Sequence, residues 1–186
     1  MQLNDQFSAA CYDGDIMLAK KLLHENPQIN ISVRDEETFR YACADGHLEI
    51  AKWLLHVRPQ IDISAKNEFS FRWACANGYL KTVKWLLKLR PQINISMSDD
   101  FVFKAGCFNG HLEVGKWIQT LKPYLYVINY TADGKYRSYY IRTKKEARWE
   151  QTKYLVWLSS TQSPNANCML YKLPNDISRY IIQNFI

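Results

Sequence analysis

Apolar and polar positions along this chain follow one pattern that recurs at a fixed interval. In its clearest copy, Phe39, Ala42 and Cys43 fall at i, i+3 and i+4, and this spacing predicts a short helix with one small, apolar face. Asp45-Gly46 ends that helix, because Gly takes the backbone dihedrals of a helix terminus at little steric cost. A second helical pattern starts at His47: Leu48, Ala51, Leu54 and Leu55 form one stripe, and Ile50, Trp53 and Val57 another beside it. So wide an apolar arc needs cover on two sides. Arg58-Pro59 closes the second helix, since Pro cannot continue its hydrogen-bond ladder. The period then drops to two, with Ile61 and Ile63 alternating with Gln60, Asp62 and Ser64, which predicts a short extended arm. The polar run Ala65-Lys66-Asn67-Glu68 leads into the next copy.

The interval is 32 residues. It superposes Phe7, Phe39, Phe71 and Phe103, then Cys11, Cys43, Cys75 and Cys107, and likewise Gly14, Gly46, Gly78 and Gly110 and Pro27, Pro59, Pro91 and Pro123. One helix-turn-helix unit with an arm cannot bury its own apolar face, so the copies must stack, and the period predicts a solenoid. Lys21 of the first copy stands where later copies carry Trp, as suits a terminal helix with one face in water. The fourth copy is looser, with Gly115 and Ile118-Gln119 in place of Ala and Leu-Leu.

The segment Gly46-His-Leu-Glu-Ile-Ala-Lys-Trp-Leu-Leu55, with Ala42-Cys43 just before the Gly, resembles the ankyrin repeat, and the resemblance covers residues 1–123 in four copies. It implies an all-α ankyrin-repeat solenoid of period 32 and a non-catalytic role in protein–protein interaction. The family's Thr-Pro-Leu-His start is replaced here by Glu37-Thr38-Phe39-Arg40, Phe69-Ser70-Phe71-Arg72 and Phe101-Val102-Phe103-Lys104. The Lys-Trp-Leu-Leu and Arg-Pro-Gln-Ile-Asn-Ile-Ser variant is similar to the ankyrin proteins of large DNA viruses. By this resemblance, an unidentified protein partner meets the arm tips, at Arg34, Glu36, Lys66, Glu68, Met97 and Asp100. It also meets the ends of the first helices, at Asp45, Asn77, Phe108 and Asn109. Arg40, Arg72 and Lys104 would run beside them as a basic column, joined by Tyr41 and Trp73, aromatics of the type enriched at interface hot spots. The alternative is that the three cations occupy the family's His position and bond the neighbouring arm.

After Pro123 the pattern decays. We read residues 124–160 as a degenerate fifth helix pair capping the stack, since Leu125 and Val127 keep the arm's alternation and Lys153-Tyr154-Leu155 echoes Lys-Trp-Leu. The rival is a hairpin turning at Asp133-Gly134, a strong turn dipeptide. Residues 161–172 form a linker, and 173–186 predict an amphipathic helix with Asn175 or Asp176 as cap and Ile177, Ile181 and Phe185 at i, i+4 and i+8. This ending resembles the first helix of an F-box and the abbreviated F-box-like end of poxvirus ankyrin proteins. The resemblance implies that Leu173, Pro174, Ile177, Ile181 and Phe185 dock on a Skp-type adaptor of a ubiquitin ligase; the alternative is a hydrophobic lid.

Composition changes this picture little. A net charge of +6 suits acidic partners, but Lys20, Lys52, Lys84 and Lys116 recur on the second helix, with Arg58 and Arg90 at its end, where the dipole favours cations. A solvated helix face accounts for them, and nucleic-acid binding is not expected. No run of 18 apolar residues predicts a membrane span. The opening Met1-Gln-Leu-Asn-Asp5 carries acid and lacks an apolar leader, so an intracellular site is expected, the host cytoplasm if the viral resemblance holds. Four cysteines occupy one recurring core position and are too regularly separated to pair; Cys168 stands apart. There is no Cys-x-x-Cys, and His24, His47, His56 and His111 lack ligand spacing with any Cys. With no phosphate loop and no nucleophile elbow either, no metal, cofactor or catalytic residue is expected.

Overall fold

The computed structural model describes residues 3–143, 145–150 and 152, and its packing divides the chain into two units, Met1–Ile118 and Gln119–Ile186. Helices run in pairs: α1 (Leu3–Tyr12) with α2 (Ile16–Glu25), α3 (Val33–Ala44) with α4 (Leu48–Val57), α5 (Ala65–Ala76) with α6 (Leu80–Leu89), and α7 (Met97–Phe108) with α8 (Leu112–Leu121). The 32-residue period is thus a helix-turn-helix repeat. At each turn the chain doubles back over a glycine in the left-handed region. Gly78 shows why only glycine serves: its φ is +84°, and an added Cβ would lie 2.5 Å from the ring of His111 in the next copy.

Burial follows the sequence pattern. Phe7, Phe39, Phe71 and Phe103 are buried with Cys11, Cys43, Cys75 and Cys107 beneath the second helices. Each copy leans on the one after it. The ring of Phe7 meets Trp53 at 6.2 Å, and Phe39 meets Trp85 at 6.4 Å. In the arms, Ile29 and Ile31, and likewise Ile93 and Ile95, are buried on either side of exposed Asn30 and Asn94.

The arm tips differ from a simple extended link. Arg34, Asp35 and Glu36 have φ of 51°, 57° and 61°, and the triplets Lys66-Asn67-Glu68 and Ser98-Asp99-Asp100 repeat that conformation. Each of α3, α5 and α7 therefore opens with a left-handed turn before its right-handed course. Such a turn costs about 1–2 kcal/mol per L-residue. The middle residue is Asp35, Asn67 or Asp99, and Asp and Asn tolerate this region best among residues with a side chain.

In the second unit, the fifth helix pair expected over 124–160 is replaced between residues 126 and 141 by a hairpin, the rival reading. Strand β1 (Tyr126–Tyr130) pairs antiparallel with β2 (Tyr136–Ile141), Tyr126 opposite Ile141 and Ile128 opposite Tyr139, with an irregularity at Asn129/Tyr130. The cause is composition: eight of these eleven strand residues are Tyr, Val or Ile, which suit a pleated surface. The turn is closed by Thr131 N–H to Lys135 O at 2.8 Å and Gly134 N–H to Thr131 O at 2.9 Å. Arg142 ties the hairpin to the preceding link by donating to the carbonyls of Pro123 and Tyr124, each at 3.1 Å. Helix resumes at 145–150 behind a capping box, in which Glu146 accepts from Thr143 N–H at 2.7 Å and Thr143 Oγ1 from Glu146 N–H at 3.2 Å. The linker at 161–172 and the adaptor-docking residues Leu173, Pro174, Ile177, Ile181 and Phe185 lie outside the described residues.

Candidate partner-binding surface

Rings on the first helices form a continuous ladder. Tyr12 meets Tyr41 at 5.3 Å, Tyr41 meets Phe69 at 5.3 Å, Phe69 meets Trp73 at 5.8 Å and Trp73 meets Phe101 at 6.1 Å. Phe69 and Trp73 are neighbours because they sit at i and i+4 of one helix. The other steps cross copies, each ring meeting one that lies about a turn earlier in the following repeat. Tyr41 and Trp73 remain 38% and 40% exposed, so the ladder is accessible and not core. Tyr41 and Trp73 were singled out in the sequence. Tyr12 also lies among the positions before the turn glycines; Phe69 and Phe101 were not singled out, although the i, i+4 pairing of Phe69 with Trp73 was a readable signal.

The basic column is largely occupied from within. Arg40, buried, donates from Nε to Asp35 O at 2.8 Å and from a terminal nitrogen to Arg34 O at 3.1 Å, and Arg72 does the same to Asn67 O and Lys66 O at 2.8 and 3.2 Å. These guanidinium groups hold the carbonyls of the left-handed turns. Their faces also cover rings, Arg40 lying 4.7 Å from the centroid of Phe69 and Arg72 5.8 Å from that of Phe101. Lys104 pairs with Asp99.

The arm tips themselves are tied in series. Lys66 reaches Asp35 of the previous arm at 2.7 Å, and Arg34 reaches Glu37 at 3.1 Å and Asp5 at 3.7 Å. The Lys66 ammonium holds the Asp35 carboxyl below its ordinary range. Glu68 is buried and accepts from Arg90 Nε at 2.9 Å, which fixes its arm to the end of α6. Met97 and Asp100 are half-buried, and Phe108 stands 83% exposed.

At the helix ends, one backbone carbonyl per copy is satisfied by the next copy. Asn77 Nδ2 donates to Ala44 O at 2.9 Å and Asn109 Nδ2 to Ala76 O at 2.8 Å. Position 45 is Asp, which has no proton to give when ionised, and there His47 Nε2 donates to Tyr12 O at 2.8 Å instead. Asn77 and Asn109 thus serve the stack, while Asp45 is left out of that contact.

Buried thiols offer no nucleophile. Burial pushes Cys11 up to about 12 and Cys107 up to about 11, and Cys43 and Cys75 higher still. Among the described residues no cluster of His, Cys, Asp and Glu gathers to hold a metal, and no helix is long and apolar enough to cross a membrane. The sequence model of one protein family, described as Ankyrin repeats (3 copies), matches residues 7–99, half of the chain. No curated protein matches the chain.

Proposed function

We infer that this chain, which belongs to the ankyrin-repeat family, binds a protein partner through the ring ladder and arm tips of its first helices. Members of the family are generally protein–protein interaction modules and typically non-catalytic, and the fold alone licenses no more than that mode of action. The observation that carries the assignment to this surface is the ladder itself: large rings in mutual contact, partly open to water, on a rigid repeat. Rings so placed lose little conformational freedom on contact and bring much apolar area. The occupied guanidinium groups of Arg40 and Arg72 argue against a phosphate-binding column.

Affinity capture tests this directly. A partner retained by the wild-type chain should be lost on Tyr41→Ala with Trp73→Ala and kept on Lys52→Ala with Lys84→Ala, both double variants melting as folded proteins. Retention by the ring variant would move the interface elsewhere. A narrower form of the reading makes the protein a viral adaptor in the host cytoplasm, joining that partner to a Skp-type adaptor and ubiquitin ligase. It rests on Leu173-Pro174 and the spacing of Ile177, Ile181 and Phe185. Calorimetry against a Skp-type adaptor, with the whole chain and a form truncated after Asn167, decides it: binding must vanish on truncation.

A further inference from the structure

We propose that the ring ladder holds an extended segment bearing Arg or Lys, with its cations over the first two copies; this rests on the protein-binding reading above and gives the partner's chemistry. The chain is basic as a whole, yet its charge is divided by side. Residues 3–13, 33–45, 65–77 and 97–109, the first helices with their arm tips, hold nine carboxylates against five Lys or Arg. The intervening residues 14–32, 46–64, 78–96 and 110–118 hold five against nine. The ladder therefore lies on the acidic side of a basic protein.

That acidity is concentrated. Within the first helices and arms, copies one and two carry six carboxylates and two cations, whereas copies three and four carry three of each. Of the six, Asp5, Asp35 and Glu37 are engaged by Arg34 or Lys66, so the attraction rests chiefly on the turn carboxylates. The turn position shows the change, reading Asp13, Asp45, Asn77 and Asn109 in order. Both asparagine amides are consumed by the inter-repeat bonds. His47, by donating to Tyr12 O, allows a carboxylate at position 45 without leaving that carbonyl unpaired. Asp45 follows directly on α3, its N–H bonded to Tyr41 O at 2.8 Å, and Asp13 follows α1 in the same way, its N–H bonded to Ala9 O at 2.9 Å. These helix ends add the negative end of the dipole to the carboxylates. Beside them stand the rings of Tyr12 and Tyr41, whose quadrupoles attract a cation. Tyr41 already has Arg40 at 5.8 Å from its centroid, which leaves Tyr12 the more open of the two to a partner's cation. The phenol of Tyr12, pushed up to about 12 first by burial and then by Glu37, stays neutral.

Over copies three and four the rings Phe69, Trp73 and Phe101 face balanced charge and suit an apolar or proline-rich continuation. The four ring-to-ring steps of 5.3, 5.3, 5.8 and 6.1 Å make a path of about 22 Å, the length of six or seven extended residues.

Calorimetry with three octapeptides tests the assignment: four Arg-Pro units, four Gln-Pro units and four Glu-Pro units, each spanning about 25 Å as a polyproline helix. The Arg peptide should bind about tenfold tighter than the Gln peptide, and the Glu peptide weakest. Asp13→Asn with Asp45→Asn, which installs the residue that copies three and four already carry, should bring the Arg peptide to the level of the Gln peptide and leave the latter unchanged. Trp73→Ala should weaken both. A Gln peptide bound as tightly as the Arg peptide, or a Glu peptide bound tightest, overturns the proposal. No peptide bound, with a captured partner still lost in the ring variant, overturns it while leaving the protein-binding surface in place; a partner kept by the ring variant overturns both.

Discussion

Trp73 and Trp85 belong to the same repeat and lie on its two sides. Trp85 is half-buried on the second helix, its ring against Phe39 of the preceding copy, beside the buried Val83 and Leu86. Trp73 is on the first helix, 40% exposed, and its ring meets Phe69 and Phe101, both only half-buried. The positions behave differently from copy to copy. Where Trp85 stands, copies two, three and four all carry Trp; where Trp73 stands, the four copies read Ala9, Tyr41, Trp73 and Ala105. Packing between copies constrains one position and water constrains the other hardly at all. The repeat thus separates what holds the stack together from what is free to vary for a partner.

The comparison breaks if the two tryptophans respond alike. Trp85→Ala should lower stability by about 3 kcal/mol, through lost burial and the cavity left against Phe39. Trp73→Ala should cost under about 1 kcal/mol and abolish partner capture. Urea unfolding of both, followed by tryptophan fluorescence, gives the two values; equal losses would mean that the ladder is structural. Next in size is the tie between the sides. Arg90→Ala strands the Glu68 carboxylate, whose side chain is 11% exposed, and should cost about 1.5–3 kcal/mol, whereas Arg58→Ala, at an exposed position, should cost under about 0.5 kcal/mol.

The core thiols set a pH limit on the side that packs. In the folded chain Cys11 stays neutral until about pH 12, but in the unfolded chain it ionises above about 8.5. The unfolded state then binds fewer protons, so stability falls as pH rises, by about 1.4 kcal/mol per unit for each such thiol. Urea midpoints between pH 8 and 10 should show this slope, and Cys11→Ala should make it shallower; a midpoint independent of pH would show the thiols to be solvated. The smallest effect concerns the arm tips. Asn67→Gly relieves about 1–2 kcal/mol of left-handed strain and adds about 0.5–1 kcal/mol of chain entropy to the unfolded state, for a net gain of about 0.5 kcal/mol. Asn67→Val should instead destabilise, and a melting temperature unchanged in both variants would show the turn to be unstrained.

Much of this was legible locally. Phe39, Ala42 and Cys43 mark a helix face by spacing, Gly46 marks its end, and the alternation at Ile29 and Ile31 gives buried arm residues, because each signal lies within a few residues of chain. The left-handed turns were harder. No Gly marks them, and what holds them is Arg40 or Arg72, five and six residues downstream, so the sequence left the basic column open between a partner-facing surface and bonding to an arm; much of its bonding is internal, to the copy's own arm tip. The hairpin at Tyr126–Ile141 was misread because Leu125 and Val127 fit an arm as well as a strand; only pairing with Tyr136–Ile141 distinguishes the two.

The sequence by itself therefore determined the 32-residue unit, its helices and turns, the stacking of its copies and the uneven distribution of its charge, all of which depend on period and residue type. The tertiary structure alone decided which rings touch, which cations are already bonded and whether Asp45 or His47 meets the neighbouring copy. Those contacts join residues about 30 apart or depend on a backbone turn of opposite hand, and neither spacing nor propensity specifies a partner at that distance.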